Sequence, residues 1–219
     1  AEDYQGGCIA RVDPATGART VLYREVDGRR LSAPNDIVFD RQGGFWFTDM
    51  GKRHATHRDH GGLYYALPDG SSVREAAYPI LSANGIGLSP DERVVYVADC
   101  ETATLWAFDI EAPGVVTKHP FPSPHGGRCL GGVAGFCRFD SLAVEAGGNI
   151  AVATLVTGVI TVFAPDGRVV REVPMPDSHP TNLCFGGPDM RTAWITLSGK
   201  GELAVMPWAE PGLRLNFQG

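Results

Sequence analysis

Long apolar runs are missing from this chain. No stretch approaches the ~20 residues that cross a bilayer as a helix, so no membrane association is expected. Basic runs are equally scarce. No Lys/Arg run exceeds two residues, and 19 basic against 25 acidic residues leave a formal net charge of −6. Neither a nucleic-acid partner nor an anionic lipid surface is expected. Cysteines are few and poorly matched. Cys8, Cys100, Cys129, Cys137 and Cys184 are odd in number and include no C-x-x-C pair. That argues against a disulfide framework and for a reducing, cytoplasmic setting, with the close pair Cys129 and Cys137 expected as separate thiols. No secretory signal pattern starts at Ala1. No G-x-S-x-G surrounds Ser32, Ser82 or Ser198, so a serine hydrolase is not expected. Helical periodicity is hard to find.

Turn residues are abundant. Gly 28 and Pro 16 make up about one residue in five of the 219, with no Gly-X-Y period, and 43% of the chain is apolar. This is the composition of a packed domain of many short strands, expected to span 1–219 as one unit. A pattern recurs four times: a short apolar run, a turn, and a second run. The pairs are Ile37–Phe39 with Phe45–Asp49, Ile86–Leu88 with Val94–Asp99, Leu142–Val144 with Ile150–Thr154, and Leu183–Phe185 with Ala193–Leu197. Each reads as a hairpin. A second hairpin is expected after each, turning at Pro68-Asp69-Gly70, Pro113-Gly114, Pro165-Asp166-Gly167 and, after Glu202–Met206, near Pro211-Gly212. Four strands per unit at roughly 40–55 residues is the signature of a β-propeller; a β-sandwich with coincidental spacing is the alternative.

Aligned on these units, Asn35, Asn84, Asp140 and Thr181 each stand two residues before the first apolar residue of the inner strand, at spacings of 49, 56 and 41. Such entrances converge on one end of a propeller's central channel. Two amides and a carboxylate in one small space are hard oxygen ligands for a divalent cation. The plainer alternative is that Asn and Asp simply open strands as turn residues do.

With these residues in view, the chain resembles the SMP-30/gluconolactonase/luciferin-regenerating-enzyme family. The resemblance rests on Ser32-Ala33-Pro34-Asn35-Asp36, Gly44–Asp49, Asn84-Gly85-Ile86-Gly87-Leu88-Ser89-Pro90-Asp91, Phe139-Asp140-Ser141-Leu142 and Pro211–Phe217. It implies an all-β, six-bladed β-propeller with one divalent metal ion in its channel. Calcium is the ion expected, with zinc, iron and manganese as alternatives. The family's ligands are a Glu, two Asn and an Asp; Asn35 and Asn84 match the Asn pair and Asp140 the Asp. The Glu has no counterpart. The opening segment Gly7–Val26 reads as an outer hairpin with no inner hairpin before it. About four and a half blades are therefore expected, the N-terminal blade and a half being absent, and Glu2, Glu25 and Asp27 are the carboxylates on hand for the fourth ligand. Unpaired sheet edges of this kind favour pairing with another chain, so a dimer is one expectation.

The implied activity is metal-dependent lactone hydrolysis on a small-molecule substrate, with the carbonyl polarised by the ion and a water activated by Asp140, acting as base or as direct nucleophile. The competing readings are a phosphotriesterase with the same ligands and a non-enzymatic scaffold whose metal plugs the channel. Asp49 and Asp99 end second strands on the metal-bearing side and are candidate substrate contacts or turn caps. His179, before the last inner strand, is a third candidate substrate contact. Sugar-lactone enzymes of the family use an Arg just before the first Asn. Ala33 and Pro34 occupy those positions here, leaving Arg53, Arg58, Arg128 or Arg138 to substitute from loops. The loop Met50–Gly62 carries His54, His57 and His60 spaced by three, a ligand type zinc would take, with Asp59 the acid beside them. A solvated lid is the default for that loop.

Overall fold

The computed structural model describes residues 6–218, and among them every regular element is a β-strand. An N-terminal hairpin, β1 (Ile9–Val12) and β2 (Arg19–Tyr23), is followed by a short ladder, β3 (Glu25–Val26) and β4 (Arg29–Arg30). The first blade is β5 (Pro34–Phe39), β6 (Phe45–Asp49), β7 (Gly61–Ala66) and β8 (Val73–Ile80), paired in that order. The second runs through β9 (Ala83–Leu88), β10 (Val94–Asp99) and β11 (Thr104–Ala112). Its outer position is shared by β12 (Val115–Val116) and β13 (Arg128–Gly132), which pair with opposite halves of β11. The third is β14 (Arg138–Val144), β15 (Ile150–Leu155), β16 (Val159–Phe163) and β17 (Val169–Pro174). The fourth holds three strands, β18 (Pro180–Gly186), β19 (Thr192–Leu197) and β20 (Glu202–Pro207).

The second strands β6 and β10 are buried along nearly their whole length, and so are β7, β9 and β15. A sheet covered on both faces needs apolar residues on both, which is why these strands read as continuous apolar runs. Four apolar clusters supply the cover. One lies between the N-terminal hairpin and the first blade, and one between each pair of successive blades: Trp46 and Leu63 against Ile86 and Val97, Leu105 and Ala107 against Phe139 and Val152, Ile160 and Val162 against Phe185 and Ile195. Sheets packed in series around an axis make a propeller, not a two-layer sandwich. The inner strands β5, β9, β14 and β18 stand side by side in that order.

Two expectations need correction. The turn near Pro211-Gly212 does not return a second outer strand to the fourth blade. The chain leaves β20 at Pro207, buries Trp208, and crosses to the third blade, where Gly212 bridges to Glu145. Trp208 Nε1 donates to Glu145 Oε1 at 2.7 Å, and a Cβ on Gly212 would lie 2.1 Å from Phe185, so the crossing is held by a buried hydrogen bond and by the lack of a side chain. Arg128, offered as a substrate-binding arginine, lies on β13 at the outer edge of the second blade, its guanidinium 3.4 Å from Asp109.

Candidate functional site

Antiparallel pairing brings the end of each second strand back to the start of its inner strand: Asp49 opposes Pro34, Asp99 opposes Ala83, Leu155 opposes Arg138 and Leu197 opposes Pro180. The four entrances therefore share one rim. Asn35 and Asn84 converge there on a single group, the Met50 thioether, with Nδ2 to Sδ distances of 3.8 and 3.6 Å. Asn84 is buried, and with its nitrogen turned to sulfur its Oδ1 faces the protein interior with no hydrogen-bond partner among the described residues. A buried, unpaired amide oxygen costs about 1–3 kcal/mol unless something meets it.

Asp140 stands beside the Asn84 side-chain amide, whose N–H favours its carboxylate form. Burial pushes its carboxyl up to about 6; the neighbouring Asn84 amide and the Ser141 N–H oppose the rise, and the Asp36 carboxylate adds to it. Asp36 is the residue that reading the strand entrances missed. It accepts the Ile86 N–H from β9 at 3.3 Å, and burial raises its carboxyl too. The only hint in sequence is its position next to Asn35. What brings these groups together is Gly85. A Cβ there would lie 2.6–2.7 Å from the Leu142 nitrogen, the Asp140 carbonyl oxygen and the Ser141 Cα, so β9 and β14 approach as closely as they do because residue 85 has no side chain.

Asp49 and Asp99 are buried, and their oxygens are engaged by backbone. Asp49 accepts from the N–H groups of Ser32 (2.6 Å), Ala33 (2.7 Å) and Gly51 (2.8 Å); Asp99 accepts from Glu101 (3.2 Å) and Thr102 (3.4 Å). These contacts describe turn caps, the structural alternative for both residues. His179 is half exposed on the rim, its Nδ1 2.8 Å from Ser178 Oγ. Thr181 pairs with Thr196 of its own blade at 2.8 Å. Glu25 sits on β3, which packs against the outermost strand β8, and Asp27 follows it in the turn, so neither stands at the inner strands; Glu2 lies outside the described residues.

Around the rim, Glu101 ties four segments together. Its carboxylate takes Arg58 at 3.0 Å and Arg138 at 2.7 Å, and Arg58 also donates to the carbonyls of Met50 and Leu81 and to Ser82 Oγ. The Arg138 hydrogen bond, with the charges of Arg138, Arg58 and Arg53, holds the Glu101 carboxyl below the usual carboxylate range. Arg58 and Arg138 thus serve the rim's architecture, and with Arg53, His54, His57 and Glu101 they line an open groove of about 480 Å³. Away from the rim, an apolar cavity of about 350 Å³ runs between the inner strands, lined by Ile86, Leu142 and Leu183 and floored by Leu213 and Leu215. All five cysteines are free thiols.

The chain and its fold have counterparts among known proteins. A gluconolactonase from Zymomonas mobilis is 27% identical over 204 residues, covering 87% of this chain and 55% of its own. The solved structure of XC5397 from Xanthomonas campestris, described as a gluconolactonase, superposes with a TM-score of 0.72 at 27% identity, over 93% of this chain and 65% of that one. Regucalcin from Agrobacterium tumefaciens, described as calcium-binding, shares the fold with a TM-score of 0.70 at 22% identity, over 94% and 73%. The chain spans about half the length of the curated relatives it matches. The profile of the SMP-30/Gluconolactonase/LRE-like region matches residues 5–199, nearly the whole of the four-blade arc and its rim. The chain therefore belongs to the SMP-30/gluconolactonase/LRE-like family.

Proposed function

We propose that this chain carries the active site of a lactone hydrolase, with Asn35, Asn84 and Asp140 as ligands of one divalent ion, calcium by the hardness of their oxygens. The observation that carries the reading is the buried Asn84 Oδ1, without a hydrogen-bond partner among the described residues, on a side chain whose amide neighbours the Asp140 carboxylate. A protein bears such a vacancy of bonding at a cost, and a cation is the partner that would satisfy amide and carboxylate oxygens together. When bound, the ion supplies Lewis-acid polarisation of the lactone carbonyl.

The chain's own residues do the rest. Asp140, held at about 6 by burial in the ion-free chain, is ionised at neutral pH, and its carboxylate takes a proton from water as that water's oxygen bonds to the carbonyl carbon. As the ring C–O bond breaks, the same carboxyl returns the proton to the departing alkoxide. Asp36 keeps a second negative charge nearby and so maintains Asp140 as a base. Asp49 and Asp99 hold the turns that form the rim, and His179 offers its half-exposed ring to substrate hydroxyls.

The test is a panel of sugar lactones, simple lactones and organophosphates, assayed after chelation and again after calcium is restored. Lactone turnover that is lost with chelator and regained with calcium supports the reading. Turnover of organophosphates alone moves it to phosphotriester hydrolysis. Saturable calcium binding without turnover of any substrate makes the ion a structural plug and contradicts an enzymatic role.

A further inference from the structure

The lid after β6 is a built hairpin. Residues Arg53 and Arg58 form a bridge, His54 N–H donates to the His57 carbonyl at 2.9 Å, and Asp59 N–H donates to the Lys52 carbonyl at 2.8 Å. Its neck closes at Gly51, with φ +70°, where a Cβ would strike the Asp59 carbonyl oxygen at 2.1 Å. The four-residue turn lays the His54 and His57 rings face to face, 4.3 Å apart and 11° from parallel. Asp59 Oδ2 lies 3.0 Å from His54 Nε2 and accepts the Ser32 hydroxyl at 2.7 Å. One donor atom from each of His54, His57 and Asp59 lies within 4.8 Å of the other two. The third histidine of the spaced set, His60, is not part of this group; Asp59 takes its place.

We infer that His54, His57 and Asp59 form a second metal site, for a borderline ion of the zinc class, in the lid over the channel mouth. Two imidazole nitrogens and one carboxylate oxygen suit zinc, cobalt or nickel, whereas calcium takes oxygen donors, so this site and the channel site choose different ions. The geometry lies within small side-chain rotations of convergence, because the backbone hairpin already sets the three Cα positions. Ser32 supplies the hydrogen bond that orients a ligating carboxylate. Two cations flank the group in sequence: Arg58 is compensated by Glu101, with its other donors on Met50, Leu81 and Ser82, while Arg53 lines the groove beside His54 and His57. The side chains of His54 and Asp59 are 33% and 42% exposed, which leaves room for water to complete the coordination. Since Asp59 also holds Ser32, at the approach to β5, an ion here braces the lid against the strand that carries Asn35.

The experiment titrates the chelated 219-residue chain with zinc by calorimetry, and with cobalt by visible absorption, both in excess calcium so that oxygen-donor sites are filled. One equivalent of zinc and a cobalt d–d spectrum of nitrogen-ligated type are expected. The His54→Ala/His57→Ala variant should lose at least about tenfold in zinc affinity, Asp59→Asn a similar factor, and Ser32→Ala less. Asp140→Ala should leave zinc binding unchanged, which separates this site from the channel. Amide hydrogen exchange over 52–60 should slow on zinc addition. Zinc affinity unchanged in the double-histidine variant, with circular dichroism showing the fold intact, overturns the proposal. So does the absence of saturable one-to-one binding.

Discussion

In the proposed reaction, Asp140 is the residue on which the chemistry turns. Replacing it with Asn keeps an oxygen near the proposed ion and removes the base. We expect Asp140→Asn to lower kcat/KM for a lactone by about 10²–10⁴-fold in saturating calcium, measured by initial rates, with a melting temperature close to that of the parent. Glu101 makes a different prediction. Its carboxyl titrates below its ordinary value of 4.5 in the folded chain, because Arg138 and Arg58 favour the charged form. The unfolded state therefore takes up a proton first as pH falls. The stability Glu101 contributes is fully present above about pH 4.5 and is lost as pH drops through the lowered value. Melting curves should show Glu101→Gln less stable than the parent at pH 6, with the difference shrinking toward pH 3; a constant difference would contradict the ion-pair account. Asn35, Asn84 and Asp140 were legible in sequence because they recur at one position of a repeat. Met50, Asp36 and Glu101 were not, because each acquires its role from groups contributed by another blade or a distant loop. Asp49 and Asp99 stood out as rim carboxylates, but the N–H groups they cap are visible only in the folded turns.

At the level of strands, the approach of β9 to β14 sets the site. Gly85→Ala places a methyl against the backbone of 140–142, which cannot give way as a flexible side chain would. We expect a loss of about 1–3 kcal/mol in denaturant unfolding and a weakened calcium isotherm, since Asn84 and Asp140 are carried on the two displaced strands. Gly87→Ala meets the side chains of Leu142 and Val144 instead and should disturb calcium binding less. The same alternation of apolar runs and turns that announced the hairpins also placed the inner strands: β5, β9, β14 and β18 begin within two residues of Asn35, Asn84, Asp140 and Thr181. The missing outer strand of the fourth blade was not legible. Glu202–Met206 followed by Pro211-Gly212 has the local look of a turn, and long-range contacts, the Trp208–Glu145 bond and the backbone bonds of 211–213 to residues 144–146 and Met190, draw the chain elsewhere. Glu145 is fully buried and also takes Arg171 and Asn149. Trp208→Phe removes one of the two donors to its Oε1, leaving Arg171, and should cost about 1–2 kcal/mol, read from urea unfolding.

Across the molecule, each blade covers the face of the next, and the fourth is the last blade among the described residues. One side of it is buried against the third blade, while Leu203 and Val205 on the opposite side are 61% and 57% exposed, beside Thr196 and Trp194. An apolar sheet face of this kind favours association. The 219-residue chain is expected to show concentration-dependent self-association in sedimentation, and Leu203→Lys/Val205→Lys to shift it toward the monomer. The arc nonetheless brings four strand entrances to one rim, and the proposal with the most at stake is that this rim binds a divalent ion needed for lactone opening. The most direct measurement follows calcium binding and lactone hydrolysis together on the chelated chain, its Asn84→Ala variant and its Asp140→Ala variant. The account predicts one calcium site whose filling restores hydrolysis in the parent, with binding weakened and activity abolished in both variants. Full activity in chelator, or activity that survives Asp140→Ala, would contradict it.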